Sequence, residues 1–168
     1  MADFHRPVIT YGFDHSADYR LSEYKSKGLK TQFLLSHVEA KGPVQICLNT
    51  AGMHNALNAA AAFAVATDEG VETTIILNAL ENFNGVARRF QVTSNLTLNG
   101  QAITLVDDYG HHPTEIEATI KAARESWPDQ RLIMVYQPHR YSRTHDLYED
   151  FVRALSKVDS LFLLDVYS

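Results

Sequence analysis

The second half of the chain alternates between two kinds of pattern, and this alternation restricts the fold more than any other feature of the sequence. Apolar runs at Ile103–Val106, Leu132–Tyr136 and Leu161–Val166 are each short and flanked by polar residues, as strands buried within a parallel sheet should be. Two stretches of helical periodicity lie between them. Ile116, Ile120, Ala123 and Trp127 recur on one helix face, and Leu147, Phe151, Leu155 and Val158 on another. Thr114 with Glu117, and Asp146 with Glu149, have capping-box spacing and predict where the two helices start. The predicted order is β-α-β-α-β. Such an order implies an α/β fold, with a parallel sheet and right-handed crossovers in the manner of dinucleotide-binding folds.

The first half reads differently. Residues 8 to 49 carry runs with strand character, and Val44, Ile46 and Leu48 alternate with Gln45, Cys47 and Asn49 as in an antiparallel strand with one buried face. An alanine-rich stretch from Asn55 through Thr67, ended by Gly70, predicts a helix, and Thr74 to Phe83 predicts a second. Asn84-Gly85 breaks the pattern, and residues 86 to 90 fit neither neighbour, so a domain boundary is expected there. Asn99-Gly100 marks a hairpin turn.

Charge and cysteine content narrow the function classes. A formal net charge of −5 argues against a nucleic-acid backbone or an anionic membrane as the main partner and favours small molecules. The single cysteine, Cys47, cannot close an internal disulfide, which fits a reducing cytoplasm. The longest apolar stretch, Ala59 to Ala66, is far shorter than the ~20 residues that cross a bilayer, and no signal pattern opens the sequence.

In open parallel sheets ligands gather at the carboxyl ends of the strands. Two dense polar clusters fall at such ends: Asp107-Asp108-Tyr109-Gly110-His111-His112-Pro113 and Gln137-Pro138-His139-Arg140-Tyr141-Ser142-Arg143-Thr144. Arg140 and Arg143, three apart at a helix start, could grip a planar carboxylate through paired hydrogen bonds; a phosphate site or a solvated basic edge is the competing reading. Asp107 and Asp108 are equally suited to shaping a turn. His111 and His112 with Glu115 would make a metal site only with a further ligand, and no cysteine or third histidine is spaced to supply it, so no metal site is expected in the chain. A third cluster, Gly52-Met53-His54-Asn55-Ala56-Leu57-Asn58, opens the alanine-rich helix. Asn55 and Asn58 share a helix face, either to read the edge of a base or as a cap and a surface residue. No phosphate-loop wording is present, and Lys27-Gly28-Leu29-Lys30-Thr31 does not match it.

In order, wording and separation these clusters resemble the Mur ligases over nearly the whole chain. Gly52 to Asn58 resembles the helix start that contacts adenine, Phe83 to Phe90 the Phe-x-Gly-x-x-Arg-Arg-Phe linker, and Asp107 to Glu115 the first conserved loop of the carboxyl-terminal domain. The wording Asp-Asp-Tyr-Gly-His-His-Pro-Thr-Glu with Gln-Pro-His-Arg-Tyr-Ser-Arg-Thr is typical of the members that add L-alanine.

The resemblance implies that residues 1–85 are the end of the central ATPase domain and residues 86–168 an incomplete, Rossmann-like carboxyl-terminal domain with parallel strands. The phosphate loop and the Mg2+ ligands would then lie outside this chain. By the same resemblance His54, Asn55, Asn58, Arg89 and Asp108 contact ATP, while Tyr109, His111, His139, Arg140 and Arg143 form the L-alanine pocket. His111 or His139 would orient the amine or take its proton, since only the neutral amine attacks an acyl phosphate. The implied partners are ATP, L-alanine and UDP-N-acetylmuramate, with no nucleic acid and no membrane, and the implied compartment is the cytoplasm. Closure about Asn84 to Arg88 would bring the reactants together. Two alternatives stand beside this: a ligase that recycles an intact tripeptide onto the same muramate, and a non-catalytic module that binds nucleotide or amino acid.

Overall fold

The computed structural model describes residues 8–38, 40 and 42–167. It falls into two compact units that divide between Asn84 and Gly85.

In the first unit, strands β1 (Tyr11–Gly12), β2 (Tyr19–Lys27), β3 (Lys30–His37) and β4 (Val44–Leu48) lie side by side in that order. β1 runs parallel to β2, and the other pairs are antiparallel. Alternation fixes which face is buried: Tyr19, Leu21, Phe33, Leu35, Ile46 and Leu48 all point into one core. Helix α1 (Met53–Asp68) covers that face with Ala56, Ala59, Ala60, Phe63 and Ala64. Its small side chains let the helix lie close to the sheet, so the larger strand residues supply most of the apolar burial, about 1.5–3 kcal/mol each. Lys27 and Lys30 pair across a tight turn in which Gly28 has φ +59, so the lysine-glycine wording there is a hairpin.

Helix α1 starts two residues before the expected Asn55. Gly52, at φ 97, takes the capping position, and its carbonyl accepts the N–H groups of Asn55 (3.0 Å) and Ala56 (3.4 Å). Helix α2 (Thr73–Asn82) follows and adds Ile76 to the same core.

The second unit opens with β5 (Gln91–Leu98) and β6 (Gln101–Asp107), an antiparallel hairpin turning on Asn99 (φ 49) and Gly100 (φ 78). Positive φ at both turn residues matches the right-handed twist of the strands. After α3 (Pro113–Ser126), β7 (Ile133–Tyr136) pairs in parallel with β8 (Ser160–Leu163), and between them run α4 (Tyr141–Asp146) and α5 (Tyr148–Leu155). Ile116 and Ile120 of α3 meet Tyr136, Phe151, Ala154 and Leu155 in the core.

Two sequence expectations need correction here. The three apolar runs do not form one hydrogen-bonded sheet among the described residues, because β6 pairs with β5, while β7 pairs with β8. A groove of about 550 Å³, lined by Ile103 and Leu105 on one side and by Trp127, Leu132 and Ile133 on the other, lies between these pairs. An apolar run reports burial and does not name its neighbour. The helix starts also move. Pro113 takes the first position of α3, where its missing N–H costs nothing, so His112 and Glu115 form the cap, and Glu117 instead pairs with Lys157 at 2.7 Å. Asp146 ends α4, and Leu147, with φ −113, turns the chain into α5.

Among the described residues no helix is long and apolar enough to cross a membrane.

Candidate functional site

At the carboxyl end of β6 the chain folds back on residues 88–90. One oxygen of Asp108 accepts the N–H of Phe90 at 2.8 Å and the other accepts the N–H of Gly110 at 2.7 Å. The Tyr109 N–H donates to the Arg88 carbonyl at 2.8 Å, and the Arg88 guanidinium lies 4.9 Å from the centre of the Tyr109 ring and 3.6 Å from Asp107. These ties hold Arg88 (φ 57) and Phe90 (φ 49) in the left-handed region, where non-glycine residues are uncommon. Gly110 leaves room for the turn: a Cβ there would stand 2.8 Å from an Asp108 oxygen.

The next turn is built by Glu115. Its Oε2 accepts the N–H groups of His111 (2.9 Å) and His112 (3.1 Å) and lies 3.6 Å from His111 Nδ1. The second polar cluster reaches the same place from β7. Beyond Tyr136 the chain keeps its register with the segment after β8: the Leu164 N–H donates to the Tyr136 carbonyl (2.9 Å), Tyr167 to Pro138 (2.8 Å) and Arg140 to Tyr167 (2.8 Å). His139 is thereby fixed beside Tyr167, with ring centres 5.2 Å apart, and the Tyr109 ring stands 5.6 Å from His139 and 5.5 Å from His111. The two polar clusters therefore do face one another, although their strands share no ladder.

Arg140, exposed and at φ +69, caps α4, and Arg143 follows within its first turn, half-buried. Tyr136, at the end of β7, is 5% exposed, with no hydrogen-bond partner for its hydroxyl among the described residues. Burial pushes its pKa up to about 12, opposed by Arg143 and reinforced by Glu115. The site thus joins two imidazoles and an aromatic wall, and the chain leads from His139 directly to the guanidinium-bearing Arg140 and Arg143, residue types suited to a small anion that also carries an ionisable amine.

Residues 1–66 match the domain described as "Mur ligase middle domain", and residues 88–167 the one described as "Mur ligase, glutamate ligase domain". The chain belongs to the Mur ligase family. Among solved structures it is similar to a UDP-N-acetylmuramate-alanine ligase from Thermotoga maritima, with 28% identity, a TM-score of 0.79 and 95% of this chain covered. A murein peptide ligase from Psychrobacter arcticus (23%, TM-score 0.56, 93% covered) and a folylpolyglutamate synthase from Thermotoga maritima (18%, TM-score 0.63, 88% covered) share the fold. The Mur ligase chain described here spans 34%, 38% and 33% of those three chains, respectively.

In the first unit of this Mur ligase, Asn55 donates its side-chain N–H to the Ala51 carbonyl at 2.7 Å, whereas Asn58, one turn on, is exposed and His54 is half-buried. In the second, Arg89 is exposed, its N–H donates to Val86 (3.1 Å), and its charge helps to lower the pKa of Glu115. Asp108 performs the turn-shaping role that the sequence left open. Among the described residues no group of three or more histidine, cysteine, aspartate or glutamate side chains is placed to hold a metal ion. Sequence reasoning placed Arg88 only in the linker, missed Tyr167 altogether and gave Glu115 no role beyond a possible metal ligand. An acid four residues after His111, at a helix start, was the available signal for Glu115. Nothing local pointed to Tyr167, which reaches the site only through strand pairing.

Glu115 also gives the unit an acid limit. Burial alone would raise its pKa, but the His111 and His112 N–H groups, His111 and Arg89 together hold it below the ordinary value of 4.5. A lowered folded-state pKa stabilises fully above the unfolded value and is lost as pH falls through the folded one. As pH falls through and below the ordinary carboxylate value the second unit should therefore lose stability, and Glu115→Gln should flatten that slope in urea unfolding followed at Trp127; an unchanged slope would refute this.

Proposed function

We propose that this chain supplies adenine-contacting and amino-acid-binding residues to a ligase that joins L-alanine to UDP-N-acetylmuramate in peptidoglycan synthesis, in the cytoplasm. ATP would first phosphorylate the muramate carboxylate, with Mg2+ held by residues outside this chain. The amine of L-alanine would then attack the acyl phosphate and release phosphate. The supporting observation is the meeting of Tyr109, His111 and His139 in the same unit as Arg140 and Arg143, at the ends of two strands. The 28% identity to an alanine ligase favours that amino acid. Arg140 and Arg143 would bind the carboxylate and the aromatic wall would bound the methyl group. The exposed carboxamide of Asn58 would meet adenine, with Asn55 and His54 beside it and Arg89 and Asp108 also toward the nucleotide. This chain alone, lacking phosphate-loop wording, would neither hydrolyse ATP nor form the amide.

The test is phosphate release by the intact ligase that carries this segment. Release should require L-alanine, and L-Ala-D-Glu-meso-diaminopimelate should not replace it; the reverse preference rejects the assignment. Asn58→Ala should raise KM for ATP severalfold, about 1 kcal/mol for a neutral hydrogen bond, and leave KM for L-alanine unchanged.

A further inference from the structure

We propose that Glu115 and the Tyr109 carbonyl fix His111 with its proton on Nδ1, so that His111, rather than His139, takes the proton of the incoming amine. This rests on the ligase reading above. His111 Nδ1 lies 3.2 Å from the Tyr109 carbonyl oxygen and 3.6 Å from Glu115 Oε2. Neither oxygen can donate, since Glu115 is held ionised by the two backbone N–H groups on the same atom. An unprotonated Nδ1 would set its lone pair against both oxygens. The ring therefore carries its proton on Nδ1 and keeps the lone pair on Nε2.

His112 has the opposite tautomer. Its Nδ1 accepts the Thr114 N–H at 3.3 Å, which places its proton on Nε2 and removes it as a base on that side. His139 lies between the Tyr109 and Tyr167 rings, and among the described residues neither of its ring nitrogens makes a hydrogen bond. Of these three histidines at the site, His111 has the arrangement of an activated base, a proton acceptor oriented by a third group on its far nitrogen. In the transfer an N–H bond of the alanine ammonium breaks and an Nε2–H bond forms. The freed lone pair attacks the acyl carbonyl. The resulting imidazolium faces the Glu115 carboxylate, whose charge offsets it. Glu115 touches no substrate and is a positioning residue.

Long-range proton–nitrogen NMR of the 168-residue chain, at a pH where the imidazoles are neutral, reads the tautomers directly. The expected result is Nδ1–H at His111 and Nε2–H at His112; Nε2–H at His111 overturns the inference without touching the ligase reading. In the intact ligase, Glu115→Gln keeps an acceptor for the two backbone N–H groups and removes the charge, so kcat should fall about tenfold with KM for L-alanine unchanged. His111→Gln should cost about a hundredfold or more in kcat, and His139→Gln should act mainly on KM. A wild type that joins L-alanine while Glu115→Gln is unimpaired, or while His139→Gln loses more kcat than His111→Gln, also overturns it. A wild type with no L-alanine-dependent phosphate release sinks the ligase reading instead.

Discussion

Replacing Arg143 by alanine in the intact ligase should lower kcat/KM for L-alanine about ten- to a hundredfold, the 1.5–3 kcal/mol of a charge-assisted hydrogen bond. The side chain is half-buried in the first turn of α4, and its charge acts on the buried Tyr136 hydroxyl. Arg143→Lys should also be harmful, because lysine keeps the charge and loses the planar fork that meets both carboxylate oxygens. Alaninamide separates the carboxylate from the rest of the substrate. Wild type should strongly prefer L-alanine over it, and Arg143→Ala should lose most of that preference. Equal discrimination by the mutant and wild type would place the carboxylate on another residue.

The second large effect is structural. Asp108→Ala removes a carboxylate that bonds two backbone N–H groups at 2.8 and 2.7 Å, one of them on the buried Phe90. The second unit should lose about 2–4 kcal/mol, less than twice the value of one charge-assisted bond because the two share a partner. The Phe90 ring stacks on Trp127, with ring centres 6.3 Å apart, so the single tryptophan reports this loss in urea unfolding. Asp108→Asn, which keeps one good acceptor, should fall between. If Asp108→Ala unfolds like wild type while KM for ATP rises, Asp108 works on the nucleotide and is no clamp.

Much of this was legible in the sequence because it is periodic or punctuated. The buried alternation of β4, the alanine face of α1, the Asn99-Gly100 turn and both apolar helix stripes depend on neighbours a few residues away, and local spacing reports them. The failures share a physical cause. Strand partnership is decided by hydrogen bonds between segments distant in sequence, so the apolar run of β6 could not disclose that β5 would take its ladder. The caps were misplaced because Thr114 and Asp146 satisfied a spacing rule that Pro113 and Leu147 overrode through backbone geometry. Within the site, side-chain types were readable as a chemical inventory, and their division of labour was not. Asp108 reads equally as a ligand-binding acid or as a turn former, and only its two oxygens on backbone amides disclose the second role.

Arg140 carries a side chain at φ +69, a conformation in which any Cβ crowds its own backbone at a cost of about 1–2 kcal/mol. Glycine would relieve that strain and still cap α4. A search that rewarded only resistance to heat would therefore drift toward glycine here and discard a guanidinium. A search that rewarded turnover would hold the arginine against that drift. With the carboxylate-binding role proposed above, Arg140 would be a position where selection for durability and selection for activity pull in opposite directions, and a stabilised form of the intact ligase would best be sought with residue 140 left untouched.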